Sequence, residues 1–211
     1  MSYQTLLDAV IKGDVKTATE ETQKAVDAGQ NAQDILDQGL IEAMNVVGDK
    51  FSKGAMFVPQ MLRSAKTMQE CVAVLKPHFQ ENAMTTKGKI VIGTVKGDLH
   101  DIGKNLVGMM LESAGFSIID LGVDVAPEVF VDKIKEANAD VLGMSALLST
   151  TMPSMSLTIK ALADSGLRDD VKVIIGGAPV TRKFAEDIGA DSYAPDAGSA
   201  VLEAKKLLNI T

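Results

Sequence analysis

The chain is short of the residues that announce most chemistries. Its 211 residues include one cysteine, Cys71, two histidines, His78 and His100, and no tryptophan. A single thiol excludes an intrachain disulfide and a cysteine-based zinc site, and it fits a reducing compartment, so the cytoplasm is the expected location. Aromatic residues make up only 4% of the chain, which leaves core packing to aliphatic side chains and to eleven methionines. Positive charge is in deficit: 21 Lys and Arg stand against 28 Asp and Glu, for a formal net charge of -7. That is the wrong sign for a protein that grips nucleic acid. No uninterrupted apolar run approaches the roughly 20 residues a membrane-spanning helix needs. The opening stretch, MSYQTLLDAVIKGD, lacks the basic start and apolar core of a secretory signal. Neither nucleic acid nor membrane is therefore an expected partner. A hydrophobic content of 46% is enough for a real core, and the length suits one large or two small domains.

The apolar pattern changes period near residue 80. Before it the spacing is helical. Leu6, Leu7, Val10 and Ile11 form one stripe, and Val15, Ala18, Ala25 and Val26 a second that stops at Gly29. Asn31 can cap a third helix carrying Ile35, Leu36, Leu40, Ala43, Met44 and Val47. A fourth opens near Pro59 and carries Val58, Met61, Leu62, Ala65, Met68, Val72, Leu75 and Phe79. Four amphipathic helices with short loops predict a helical bundle over 1–83. The stretch QENAMTTKGK, 80–89, has no period and reads as a hinge, with the linker placed at 84–90.

From residue 91 the pattern alternates. Apolar, β-branched runs at 89–95, 116–122, 139–147, 171–177 and 190–194 read as strands. Helical segments fall between and after them, at roughly 101–114, 127–137, 152–165, 180–187 and 196–208. Alternation of this kind predicts a five-stranded parallel sheet covered on both faces, a Rossmann-like or flavodoxin-like domain over 91–211. Ligands of such sheets bind at the carboxyl ends of the strands.

One of the two histidines sits at such an end. The turn after the first strand reads GTVKGDLHDIGKN, with His100 two residues after Asp98. A turn needs Gly and Asp, but it does not need His. Several readings are open: a phosphate cradle, a loop histidine with satisfied hydrogen bonds, a hydrolytic Asp–His–Ser set and a zinc ligand. The first lacks the G-x-G-x-x-G and Walker spacings, and Asp98 and Asp101 would repel an anion. The third lacks a G-x-S-x-G elbow. The fourth would need His78, from the other half of the chain. A fifth reading uses the pair itself. A carboxylate on one imidazole nitrogen fixes the tautomer and leaves the other nitrogen to a metal that brings its remaining ligands with it.

Three pieces of sequence carry a resemblance that bears on this choice: Asp98-Leu99-His100-Asp101-Ile102-Gly103, Ser145-Ala146-Leu147, and Gly176-Gly177. Their identity and order resemble the signature of the cobalamin (corrinoid)-binding domain. The stretch GTVKGDLHDIGKNLVGMMLESAGFSIIDLGVDV is similar to the corresponding part of cobalamin-dependent methionine synthase. Helices directly before such a domain resemble the cap of that enzyme. The whole chain, to YAPDAGSAVLEAKKLL, looks like the stand-alone corrinoid proteins of anaerobic methyltransferase systems.

The resemblance implies roles by position. His100 would be the lower ligand of cobalt, in the base-off/His-on mode, with Asp98 on its other nitrogen and Ser145 extending the relay. These three are the expected chemical residues. Gly97, Asp101, Ile102, Gly103, Leu147, Ser149, Thr150, Gly176, Gly177, Tyr193 and Ala194 would border the corrinoid and its nucleotide tail. Gly103 would leave room for the tail, and the glycine pair would let it pass the fourth strand. Met61, with Met44 and Met68, would shield the upper face of the cobalt or else belong to the bundle core. The expected function is a methyl carrier loaded by a substrate-specific methyltransferase for a methylated amine, quaternary amine, methanol or methoxyaryl donor. A second methyltransferase would unload it, and a reductive activation protein would maintain it. The alternative is a cobalamin storage or delivery protein that never turns over.

Overall fold

The computed structural model describes residues 3–79 and 86–210. Several of its helices begin where a side chain satisfies the first free backbone N–H groups. Asp14 accepts from the Thr17 N–H and starts α2 (Val15–Asp27), directly after α1 (Gln4–Lys12). The Asn31 carboxamide accepts from the Gln33 and Asp34 N–H groups at the start of α3 (Ala32–Asp34). The expected third helix is not a uniform coil. After α3 it widens to a π-helical stretch over Ile35–Ile41 before returning to α4 (Glu42–Ser52). Helix α5 (Val58–Leu75) opens with the Phe57 N–H donating to Gln60 Oε1 at 3.0 Å and ends in a 3-10 turn at Lys76–His78. Its stripe packs on α1, α2 and α4. The Ser64 hydroxyl, fully buried, donates to the Ile11 carbonyl and ties α5 to the end of α1.

The chain divides into two compact units, residues 1–86 with 113–115, and 87–112 with 116–211. The expected hinge falls mostly on residues 80–85, outside the described residues. Lys89 and Ile90 open the first strand, as expected of the run at 89–95, although the expected linker also reaches residue 90.

The second unit is a five-stranded parallel sheet: β1 (Lys89–Thr94), β2 (Ser117–Asp120), β3 (Val141–Ser145), β4 (Lys172–Gly176) and β5 (Ser192–Tyr193), in the order β2-β1-β3-β4-β5. The connecting helices are α6 (Ile102–Ser113), α7 (Pro127–Ala137), α8 (Pro153–Asp164) and α9 (Arg182–Asp187), and α10 (Ala197–Leu207) follows β5. This is the flavodoxin-like winding, and it covers the sheet on both faces. Strands buried on both faces must be apolar throughout. Val91, Leu142, Val173 and Ile175 are fully buried, in one core with Phe130, Met155 and Leu162. The winding reverses between β1 and β3, where the crossover helices leave in opposite directions and a crevice opens beyond the strand ends. Thr94 and Ser145 are register partners there.

Candidate functional site

The turn after β1 is held from three sides. The Val95 N–H donates to the Ser145 carbonyl, which continues the β1–β3 ladder past its last paired strand residue. Gly97 turns the chain with φ +84°, a left-handed conformation that costs glycine little. The Asp98 N–H returns to the Val95 carbonyl at 3.1 Å and closes the turn. The buried Thr94 hydroxyl donates to the His100 carbonyl at 2.8 Å and fixes the far end.

Asp98 is 0% exposed, and every strong contact it makes is a hydrogen bond that stabilises its charge. Oδ1 lies 2.6 Å from His100 Nδ1 and accepts from the His100 N–H at 3.1 Å. Oδ2 accepts from the Leu147 N–H at 2.7 Å, the Leu148 N–H at 3.3 Å and the Thr151 hydroxyl at 2.8 Å. Burial pushes the carboxyl up. The bonds from the Leu147 N–H, the His100 ring, the Thr151 hydroxyl and the His100 N–H outweigh it and hold the group well below the usual carboxylate range. An ionised Asp98 can only accept, so His100 Nδ1 carries a proton toward it and the tautomer with Nε2 unprotonated is the one the pair favours for a neutral ring. The imidazole side chain is 50% exposed, whereas its partner is sealed.

Around this half-open ring lie apolar side chains that ordinary folding would have buried. Ile102 is 84% and Leu99 73% exposed, and Leu147 and Leu148 are also exposed. Clustered exposed apolar groups beside a fixed polar atom mark a ligand surface. At Gly103, in the first turn of α6, a Cβ would meet nothing within 4 Å, so open space lies over the helix start beside His100. Helix α6 itself is anchored through Lys104, whose buried ammonium pairs with Asp120 and bonds Asn105 Oδ1 at 2.6 Å. Asp120 Oδ1 in turn accepts from the Gly122 N–H.

No group of three or more His, Cys, Asp and Glu that could hold a metal ion occurs among the described residues. His100 offers one nitrogen, an apolar floor and an open slot. A planar macrocycle that supplies its own equatorial nitrogens fits that donor set.

The structure brings Asp98, His100, Leu147 and the open edge at Gly103 together, with Asp101, Ile102, Ser149 and Thr150 exposed along the same two loops. Three places add to what was expected. The hydroxyl that bonds the Asp98 carboxylate is that of Thr151. Ser145 ends β3 with its carbonyl in the ladder, and among the described residues its hydroxyl makes no hydrogen bond to Asp98 or His100. The sequence did signal a hydroxyl, in the run Ser149-Thr150-Thr151 before Pro153. Which of the three turns inward depends on the helical start of α8. Met61, Met44 and Met68 are buried (0–3% exposed) within the packed stripes of their helices; the exposed large apolar residues of the helical unit are Val15, Phe57, Val58 and Leu62. The glycine pair is required by the chain's own backbone. A Cβ would stand 2.6 Å from the Ala194 carbonyl oxygen at Gly176, and 1.9 Å from that of Ala146 at Gly177, where φ is +126°. Tyr193 closes the row at β5 with Arg182 over its ring, 5.8 Å from the centroid.

Comparison with known proteins agrees with this geometry. A B12 binding domain model matches residues 88–203, and a second B12 binding domain model matches residues 3–76. The dimethylamine corrinoid protein of Methanosarcina barkeri is 45% identical over 206 residues, covering 97% of this chain and 96% of that protein. A trimethylamine corrinoid protein of the same organism is 39% identical, covering 96% and 94%. Among solved structures, a cobalamin-binding protein from Desulfitobacterium hafniense superposes with a TM-score of 0.84 at 34% identity, covering 98% of both chains. A chain of the methanol:cobalamin methyltransferase complex of Methanosarcina barkeri gives 0.87 at 28% identity, covering 99% of this chain and 80% of its own. With a half-exposed imidazole at the switch point of a flavodoxin-like sheet and helices matched by the second model, the chain belongs to the B12-binding corrinoid protein family.

Proposed function

We propose that this protein is a methyl carrier: it holds a corrinoid on His100, is loaded by a methyltransferase acting on a methylated amine, and is unloaded by a second methyltransferase that serves a methyl acceptor. The single observation that carries the reading is the Asp98–His100 pair, 2.6 Å apart, with one partner sealed and the other half exposed. The dimethylamine and trimethylamine corrinoid proteins among the relatives favour the amine donors.

When bound, the corrinoid supplies a cobalt centre able to take up and give up a methyl group. The protein's share of the chemistry lies in its own residues. His100 Nε2 would hold the cobalt, in the base-off/His-on mode. Asp98 orients the ring and raises its basicity by accepting from Nδ1–H. The Leu147 N–H and the Thr151 hydroxyl keep Asp98 ionised, so that it stays an acceptor for the Nδ1–H. Leu99, Ile102, Leu147 and Leu148 would exclude water from the bound corrinoid. The open edge at Gly103 would admit the nucleotide tail, with Gly176, Gly177, Tyr193 and Ala194 as further candidate borders. A buried lone Cys71 agrees with a reducing cytoplasm, and no described helix is long and apolar enough to cross a membrane. A reductive activation protein completes the expected set of partners.

The test is reconstitution with hydroxocobalamin, desalting and an absorption spectrum, beside His100→Ala treated identically. The native protein should retain corrin with a His-on spectrum that the variant loses. Equal spectra, or no retention by either, would overturn the reading. Methyl transfer from a methylated amine with a partner methyltransferase then separates a carrier from a storage protein.

A further inference from the structure

Among the described residues, three that are not glycine have left-handed backbone: Asn138, Asn209 and Asp124. The first caps the end of α7 and the second follows α10, where a left-handed residue is the usual way to stop a helix. Asp124 ends no helix. It lies between β2 and α7 with φ +53°, a conformation that only Gly, Asn and Asp enter readily. Strain of this kind persists where surrounding contacts over-determine it, and it clusters at functional sites.

The contacts that hold it all lead to the His100 turn. Asp124 Oδ1 accepts from the Gly97 N–H at 2.7 Å, and the Asp124 N–H donates to the Asp98 carbonyl at 3.0 Å. The following N–H, of Val125, donates to the Thr94 carbonyl, and Val95 and Val125 form a parallel bridge. Gly97 is itself left-handed, so its N–H has no place in a regular ladder and depends on this carboxylate. The peptide units on either side of Gly97–Asp98 are thus gripped from the β2 side, while the Asp98 carboxylate is gripped from the β3 side by Leu147, Leu148 and Thr151. Asp98 has a single direction left in which to present Oδ1, toward His100.

We infer that Asp124 is a positioning residue for the cobalt ligand: it sets the backbone of Gly97 and Asp98 so that Asp98 meets His100 Nδ1. The inference rests on the corrinoid reading for its consequence in the cofactor, but the clamp itself is a property of the protein without cofactor. Two features are required at this position, an acceptor at Oδ1 and tolerance of a left-handed backbone. Asn keeps both, Gly keeps only the second, and Ala keeps neither.

The experiment compares Asp124→Asn, Asp124→Gly and Asp124→Ala in two measurements. In the cofactor-free protein, exchange of the Gly97 amide hydrogen is followed by NMR. Removing the acceptor should speed it about tenfold in Asp124→Gly, with Asp124→Asn unchanged. In protein reconstituted with hydroxocobalamin, the His-on fraction should fall in Asp124→Gly and be restored in Asp124→Asn, at thermal midpoints matched to the native protein. Asp124→Ala should fall further in both, and if it fails to fold the Gly and Asn variants carry the test. Native Gly97 protection and a native His-on fraction in Asp124→Gly would overturn the clamp. If the native protein takes up no corrin, the corrinoid reading fails, and the exchange measurement still decides whether Asp124 holds the turn.

Discussion

The helical unit and the sheet unit treat their apolar side chains differently. Along α5 the stripe goes inward: Met61, Ala65, Met68, Cys71 and Leu75 are buried, while at its start Phe57, Val58 and Leu62 stay outside. In the sheet unit β1, β3 and β4 bury most of their residues, and the segments that follow β1 and β3 leave Leu99, Ile102, Leu147 and Leu148 exposed around a fixed imidazole. In the helices apolarity mostly measures packing. In the two loops it measures what the fold leaves open for something else. Glycine divides in the same way, since Gly177 is pressed against the chain's own backbone while Gly103 faces open space.

Substitutions that treat alike residues differently make that contrast measurable. Gly177→Ala should have the largest effect. Its Cβ would overlap the Ala146 carbonyl and its φ suits only glycine, so a loss of about 4 kcal/mol or failure to fold is expected, read from urea midpoints or soluble yield. Near-native stability would mean that the loop after β4 relaxes freely.

Met61→Ala should cost about 3 kcal/mol through the cavity it leaves, whereas Phe57→Ala should change stability by less than about 0.5 kcal/mol. Equal costs would erase the distinction between buried stripe and exposed first turn.

Asp98 and Thr151 give an intermediate effect with a pH signature. The folded-state carboxyl of Asp98 is lowered, so its stabilising contribution is full above the ordinary carboxylate value of about 3.9 and drains away as pH falls through the lower folded value. Asp98→Asn should therefore flatten the acid limb of a stability–pH profile taken from about pH 5 downward. Thr151→Val, which removes one of the bonds that hold the charge, should cost about 1–2 kcal/mol at neutral pH, with Ser145→Ala well below it. The reverse order would return the relay to Ser145.

Gly103→Ala should be the mildest change for the fold. A helical Ala in open space should raise the thermal midpoint slightly, by up to about 1 kcal/mol in stability, while corrin retention after desalting falls. Unchanged retention would remove Gly103 from the binding surface.

Much of this was legible in the chain. All five strands, with α6 to α10, lie within a few residues of where the alternation of patterns put them, because strands buried on both faces must be continuously apolar and their turns must carry Gly and polar residues. Asp98, His100 and Gly103 stood out because a histidine between acids in a glycine turn serves no purpose in the turn itself. Other features could not be read. The widening of the third helix over Ile35–Ile41 leaves an apolar stripe that either helix type satisfies. Asp124 carries no pattern of its own, since its value lies in reaching Gly97, 27 residues away. Thr151 was one of three adjacent hydroxyls, and Met61 one of many apolar helix positions.

The amino-acid sequence by itself determined the period of each half, the strand-and-helix alternation and the turn that holds His100, because these depend on neighbours within a few residues. Only the tertiary structure decided what that histidine can do. Bringing β1 beside β3 places the Leu147 N–H and the Thr151 hydroxyl on Asp98, and bringing the β2 loop alongside places Asp124 on Gly97. An ionised carboxylate sealed from water needs several donors at once, and segments far apart in the chain supply most of them only when the sheet is closed.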